Sequence, residues 1–526
     1  MRVLGRNGMV ASPHYLATGA GVRVLRGGGN AIDAAIATNA VLGVVTPYLC
    51  GLGGDLFAQV YRAEDRSLTG LNGSGRAPAH ATRERVAELT GGKRIPARGP
   101  LPVTVPGCVE AWGALHERLG MMPFAELLTD AQRYASEGFP VTAAFSRSIA
   151  ASAIVLHPDT PASETFLPDG RAPLEGEIFR QPRLAETLRT IAQDGPGAYY
   201  RGSIANEIAR SVQAVGGLIT VEDLAEHRSD WVEPVRIAFR DVTVFELPPN
   251  SQGIIALQML GMLQELPREP IVAGGAEYVH VLAEVARLAY ADRVGHVTDL
   301  QHMIKDPAEL LEPAYIRDRA GSVGKRAAAH PVQSSPGDTI YLCTADNEGN
   351  LVSLIESNFM GIGSGVMAGE TGVMLQNRGH WFSLEPSSVN VIAPRKRTMH
   401  TLMPGMAFRH NRPWLVFGTM GGSAQPQIHV EILTRILDQG MAIDAAIDAP
   451  RFDAVMGAGP SGAPMLVMEN RFPEEVQQEL RSLGHDVRML EPFTSAMGHA
   501  HAIEVLESGV YAGAADPRAD SLAMGY

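Results

Sequence analysis

Thr339 is the residue whose surroundings offer chemistry most directly. It follows Gly337-Asp338 at the end of a polar stretch and heads a β-rich run, Thr339-Ile340-Tyr341-Leu342-Cys343-Thr344. A threonine hydroxyl held in a strained turn can attack the carbonyl of the residue before it, here Asp338. An N→O acyl shift then gives an ester, and water cleaves it. The α-amine so exposed has a reference pKa of about 7.7–8.0, so it can serve as base for its own hydroxyl near neutrality. A lysine amine, at about 10.4, needs a large shift to do the same. Asp338 and Thr339 are therefore read as a cleavage site, and Thr339 as a nucleophile acting on amides.

Other chemistries find little support. There is no HExxH, no EF-hand loop, no CxxC and no GxSxG serine elbow. The stretch GSVGKR at 321–326 lacks the first glycine spacing and the final Ser/Thr of a phosphate loop. The glycines at 361–365 do not open a clear βαβ unit. The 16 histidines show no metal-ligand spacing, so no metal and no organic cofactor is expected. Only Lys93, Lys305, Lys325 and Lys396 are lysines, which leaves a Schiff-base enzyme few candidates.

Composition narrows the partners. The 526 residues are 45% hydrophobic and 19% charged, an ordinary globular balance. A formal charge of −13 argues against nucleic acid or an anionic membrane as partner. Cys50, Cys108 and Cys343 are odd in number and far apart, which gives no disulfide framework and fits a reducing compartment. No run approaches the ~20 apolar residues of a membrane span, and the N-terminus has no signal-like apolar core. The expectation is a soluble, cytoplasmic protein.

The elements that must position Thr339 can be sketched. Residues 14–25 read as a helix stopped by Gly27-Gly28-Gly29, with Asn30 as N-cap of the next. A glycine turn, Gly51-Leu52-Gly53-Gly54-Asp55, precedes a strand over 56–61. Residues 107–295 read as mostly helical, broken at 247–251, with Ser251 capping a helix over 254–263. Residues 321–338 read as an exposed connection. Beyond them, 339–344 and 351–355 form a hairpin about a short glycine-containing loop. If Asn347, Glu348 and Gly349 make that loop, Asp346 faces Asn350, and counting back sets Thr339 opposite Ser357. Length alone suggests roughly three or four units.

The chain also resembles the γ-glutamyltranspeptidases. The matching stretches are GGGNAIDAA (27–35), GLGGDLF (51–57), VPGCVEAW (105–112), PPNSQG (248–253), GDTIYLCTADNEGNLVSL (337–354), GSGVMAGETGVMLQN (363–377), MGGSAQPQ (420–427) and AADPRADSLAMGY (514–526). The resemblance implies an α+β fold, a four-layer αββα sandwich of the N-terminal nucleophile hydrolase type. It implies a zymogen cut into a large chain, 1–338, and a small chain, 339–526, that fold as one unit. Pairing of two such heterodimers is left open. The family's oxyanion-binding glycines match Gly421 and Gly422. Its hydroxyl partner of the nucleophile matches Ser357, in agreement with the hairpin count.

The glutamyl-reading positions depart from the family pattern. The residues that hold the substrate's α-amino group become Phe359, Arg378 and Trp381, and a guanidinium with two aromatics does not bind an ammonium that way. The family's α-carboxylate arginine falls on Ser74, with Arg76 the nearest replacement. Two assisting serines become His400 and Thr401. The segment 382–395 is short for a lid, which points to an open pocket. Arg378 is read as pairing with a carboxylate on the acyl group, against an internal salt bridge as the alternative; His400, Thr401 and Arg76 are further substrate-binding candidates. The pattern is similar to an atypical branch that includes oxamate amidohydrolases and cephalosporin or glutaryl acylases. The function expected is hydrolysis, through an acyl-enzyme, of a small carboxylate-bearing amide, oxamate-like or glutaryl-like, with transfer to another amine less expected. The rivals are a true γ-glutamyltransferase or glutathione hydrolase, and a non-catalytic binding protein on the same fold.

Overall fold

Alternation along the central strands dictates the layers. In Asp338–Ala345, Ile340 and Leu342 point into one apolar core, while Tyr341, Cys343 and Ala345 point into another. Its partner Leu351–Phe359 divides the same way, Val352 and Leu354 against Leu351 and Ile355. In Arg412–Thr419, Leu415 and Phe417 face a third core and Val416 faces the shared middle one. A strand buried on both faces at period two requires a layer on each side.

The computed structural model describes residues 1–328, 337–454 and 463–526. It contains two seven-stranded sheets. The first runs Leu522–Gly525, Met9–Ser12, Asp338–Ala345, Leu351–Phe359, Asp55–Arg62, Ser67–Asn72, Asp230–Val232, every neighbour antiparallel. The second runs Arg2–Gly5, Tyr511–Ala515, Ala500–Val505, Arg412–Thr419, Gly405–Arg409, Val242–Glu246, Val235–Phe239, again antiparallel. Met9, Phe57, Tyr341, Met406, Val416 and Ile503 fill the space between the sheets. Helices Tyr15–Arg26 and Ala31–Val45 share a core with the outer face of the first sheet. Helices Gly253–Glu265, Gly275–His296 and Gln425–Leu437 share one with the second. Helix, sheet, sheet and helix are thus the four layers of the αββα sandwich.

Asn30 caps Ala31–Val45 as the sequence suggests, in a reciprocal box with Asp33. Such a cap matters here because every residue of that helix is buried. Three readings change. Each sheet draws strands from both ends of the chain, so the prior of three or four separate units is not met. The reading of 107–295 as mostly helical misses Asp230–Val232 and the hairpin Val235–Phe239 with Val242–Glu246, short strands whose alternation is drowned by the helices around them. Ser251 is not the cap itself; Gln252 holds that place, while Ser251 Oγ accepts from Gly253 N–H at 3.2 Å and donates to the Leu402 carbonyl.

Of the connection expected at 321–338, residues 329–336 lie outside the described residues, 321–328 are exposed or half-buried, and Asp338 already belongs to a strand. Cys50, Cys108 and Cys343 are free and buried. Among the described residues, no helix is long and apolar enough to cross a membrane.

Candidate active site

The hairpin sets the site. Pairing runs from Ala345 opposite Leu351 to Ile340 opposite Glu356, the register counted from the turn. It then slips, and Asp338 lies opposite Phe359. Thr339 sits in this irregularity, and a bulge re-aims the side chain it carries. Thr339 Oγ1 donates to Ser357 Oγ at 3.2 Å. Ser357 Oγ in turn donates to the Asp338 carbonyl at 2.6 Å and accepts the Phe359 N–H at 2.7 Å. A hydroxyl has one hydrogen to give and two lone pairs, so Ser357 is fully used. Phe359 is held at φ 80°, a strained value for a residue with a Cβ. The Asp338 carboxylate accepts the Gly361 N–H at 2.6 Å, and burial raises its pKa against that bond and the nearby charge of Arg98.

Gly421 and Gly422 follow the strand Arg412–Thr419 of the second sheet. Their φ angles, 153° and 53°, favour glycine. Gln252 Nε2 donates to the Gly422 and Thr401 carbonyls, each at 2.9 Å, and Arg293 Nη1 donates to Gln252 Oε1 at 2.6 Å. Neither glycine N–H donates a hydrogen bond among the described residues. A methyl on Gly337 would stand 3.0 Å from Gly422 Cα and 3.6 Å from the Phe359 ring, so the segment ahead of Thr339 lies against this loop.

Arg378 lies in the same neighbourhood. Its guanidinium stacks 4.1 Å over the Phe359 ring, and Nη1 donates to Thr401 Oγ1 at 3.0 Å. Nε and Nη2 are buried without a hydrogen-bond partner among the described residues. Burial lowers its pKa to about 9, opposed by the charge of Asp55, which leaves it a cation at neutral pH. The internal salt bridge weighed as the alternative is not among the ion pairs of the described residues.

His400 does something other than face a ligand. Its Nδ1 accepts the Leu402 N–H and its Nε2 donates to Asp55 at 3.0 Å. Burial, helped by the charge of Arg378, lowers its pKa to about 3, so the ring is neutral. For Asp55, burial pushes upward, but the bond from His400 and the charge of Arg378 outweigh it, and the carboxyl stays below its usual range. Asp55 also accepts the Gly75 N–H and Gln376 Nε2. Arg76 is engaged elsewhere, by Asp230 at 3.2 Å, Asp299 at 3.6 Å and the Arg395 carbonyl. The structure thus brings Thr339, Ser357 and Asp338 into direct contact, with Gly422 against Gly337, and joins Arg378 to Thr401. His400 bonds Asp55, the strand partner of Ser357, and neither the His400 nor the Arg76 side chain has a hydrogen bond to this group among the described residues.

Sequence reasoning assigned no role to Asp55, Gln252, Arg293 or Gln376. Asp55 and Gln252 lie inside the quoted stretches GLGGDLF and PPNSQG, and Gln376 adjoins Asn377-Arg378, so position in those stretches was the available signal. Thr339 and Arg378 are each 1% exposed, and Gly337 lies against Gly422 and the Phe359 ring.

The profile of the family described as Gamma-glutamyltranspeptidase matches residues 17–526. The chain belongs to this family. The glutathione hydrolase-like YwrD proenzyme of Bacillus subtilis is 40% identical over 99% of this chain and 99% of that protein. The oxamate amidohydrolase proenzyme of Klebsiella pneumoniae is 38% identical over 99% of this chain and 98% of its own length. Among solved structures, the cephalosporin acylase from Bacillus halodurans superposes with a TM-score of 0.94 at 38% identity, covering 100% of this chain and 97% of that one. The fold is that of the N-terminal nucleophile hydrolases, and the chain is related to amidohydrolases, acylases and glutathione hydrolases of this family.

Proposed function

We propose that the chain is a self-processing amidohydrolase that cuts itself between Asp338 and Thr339 and then hydrolyses amides of a small carboxylate-bearing acyl group. In the first step Thr339 Oγ attacks the Asp338 carbonyl carbon. The hydroxyl proton leaves through Ser357, and the C–N bond breaks as the amine takes a proton. Water then hydrolyses the ester, giving the chains 1–338 and 339–526. In turnover the free α-amine of Thr339 takes the hydroxyl proton, Oγ attacks the substrate amide, and the Gly421 and Gly422 N–H groups receive the oxyanion. The amine leaves with the proton, and water releases the acid from the acyl-enzyme.

The observation that carries the substrate class is Arg378, a buried guanidinium whose Nε and Nη2 have no hydrogen-bond partner among the described residues. Two adjacent donors on one planar fork suit a carboxylate, which they hold bidentately. Thr401 orients the fork, and His400 acts through Asp55 as a positioning residue. Oxamate and glutaryl amides carry such a carboxylate and no α-amine. A γ-glutamyl substrate would set its ammonium near Phe359, Arg378 and Trp381, where a cation already lies. The identity to an oxamate amidohydrolase supports the first reading.

Intact mass spectrometry of the wild type and Thr339→Ala tests the processing, with a fragment beginning at Thr339 expected from the wild type alone. A single uncut chain after long incubation would instead support a binding protein. Ammonia release from oxamate, set against release from a γ-glutamyl anilide, tests the substrate class. Faster turnover of the anilide would overturn it.

A further inference from the structure

A second cluster of reactive side chains lies apart from Thr339. Helix Gly275–His296 carries His280 and Glu284 four residues apart, which places them on one face. His485 comes from beyond helix Glu474–Ser482. All three are buried, and one ligand atom from each lies within 4.8 Å of the other two. His280 Nδ1 and His485 Nε2 face each other at 2.9 Å.

Hydrogen bonds fix which ring nitrogen each histidine turns to the other. His280 Nε2 contacts the Gly324 carbonyl at 2.9 Å. A carbonyl only accepts, so Nε2 carries the hydrogen and Nδ1 turns its lone pair inward. This is how a metal-ligating imidazole is usually oriented, by a backbone carbonyl on its far nitrogen. Glu284 Oε1 accepts from Arg287 at 2.7 Å, and the Ala328 N–H lies 3.3 Å from both carboxylate oxygens. Asp453 lies near enough to Arg287 to offset part of its charge. Among the described residues His485 Nδ1 is buried without a hydrogen-bond partner, and the ring is held at its Nε2 side.

We propose that His280, Glu284 and His485 form a site for a divalent transition-metal ion. Two imidazole nitrogens and one carboxylate oxygen suit Zn²⁺, with water as fourth ligand of a tetrahedron. Metal–nitrogen bonds of ~2.0–2.1 Å place two tetrahedral ligands about 3.3 Å apart. The imidazoles therefore need to separate by only a few tenths of an ångström. As the ion binds, the hydrogen on His485 Nε2 moves to Nδ1, so no proton is lost. The ligands come from both sides of Thr339 in sequence, and the ion pins them together whether or not the chain is cut. Sequence spacing hid this site because His485 lies 205 residues from His280.

The test uses the full-length protein after chelator dialysis. Titration with ZnCl₂ by calorimetry should give one ion per chain, and Co²⁺ should give the intense visible bands of a tetrahedral site. His280→Ala and His485→Ala should abolish both. Loss of a ligand weakens binding at least as much as loss of an outer-shell partner, about 10–100-fold. Glu284→Gln keeps the shape and removes only the charge, so it carries the same test if a histidine variant fails to fold. Zn²⁺ should raise the wild-type Tm and leave the Tm of Glu284→Gln nearly unmoved. Absence of stoichiometric Zn²⁺ in the wild type, or equal binding by the variants, would overturn the site and leave a hydrogen-bonded histidine pair.

Discussion

The Ser357 hydroxyl donates to the carbonyl of Asp338, the group bonded to Thr339, at 2.6 Å. The same oxygen receives the Thr339 hydroxyl at 3.2 Å. Nucleophile and electrophile of the proposed self-cleavage are therefore joined through one atom. A proton leaving Thr339 can pass to Ser357 while Ser357 supports the carbonyl oxygen that gains charge. Ser357→Ala removes both services, and loss of one such donor typically costs about 10²–10³ in rate. Self-cleavage followed by gel over time should slow by that order, and Ser357→Thr should restore most of it. Cleavage of Ser357→Ala at the wild-type rate would remove Ser357 from the mechanism.

The glycine loop makes a second prediction. Gly421 is held at φ 153°, and a Cβ there would meet Ile428 Cδ1 at 2.9 Å. Alanine must either strain the backbone or move the loop, and both displace the N–H groups assigned to the oxyanion. Gly421→Ala should fold with an unchanged far-UV spectrum. Per mole of cut protein, its kcat should fall by about 10²–10³. An unchanged kcat would mean that the oxyanion is held elsewhere.

Part of this site was legible in the sequence, for a physical reason. A short hairpin loop fixes antiparallel register, and register fixes which side chains oppose each other. Thr339 and Ser357 could therefore be paired by counting. The slip at Thr339 could not be counted, because a bulge reflects how the strand end meets its neighbours. The bond between Asp55 and His400 spans 345 residues, and that between His280 and His485 spans 205. Such contacts arise only when the layers stack, and no local spacing encodes them. Arg378 was legible as a departure from the family pattern, but its two unpartnered nitrogens were not, because they depend on what Phe359 and Thr401 leave uncovered.

Glu356, next to Ser357 in the strand, gives a pH prediction. Its carboxylate accepts the Gly51 N–H at 3.1 and 3.0 Å. Burial pushes its pKa from 4.5 up to about 8. The folded value lies above the unfolded one, so its contribution to stability is full below pH 4.5 and is lost as pH rises through about 8. Glu356→Gln keeps an acceptor for Gly51 and does not titrate. Relative to it, the wild type should lose up to about 1.4 kcal/mol of stability per pH unit across that window. Melting both proteins near each end of the window checks this, and a Tm difference that does not change with pH would refute the protonated state.

In the proposed reading, Arg378 selects the substrate. Among the described residues its guanidinium has one hydrogen-bond partner, Thr401, and two buried nitrogens without any. Leaving a charged donor unpaired in a buried place is costly, and a substrate carboxylate removes that cost on binding. A hydrogen bond to a charged group contributes about 1.5–3 kcal/mol, so Arg378→Ala should raise KM for oxamate-like amides roughly 10- to 100-fold. Arg378→Lys keeps the charge and loses the planar fork, so its KM should lie between the two. Self-cleavage should proceed normally in both, because the bonds among Thr339, Ser357 and Asp338 do not pass through Arg378. Mass spectrometry of each variant beside its steady-state kinetics separates the two roles. A variant that neither folds nor cuts itself would make Arg378 a structural cation, and the search for the acyl carboxylate would then move to another donor.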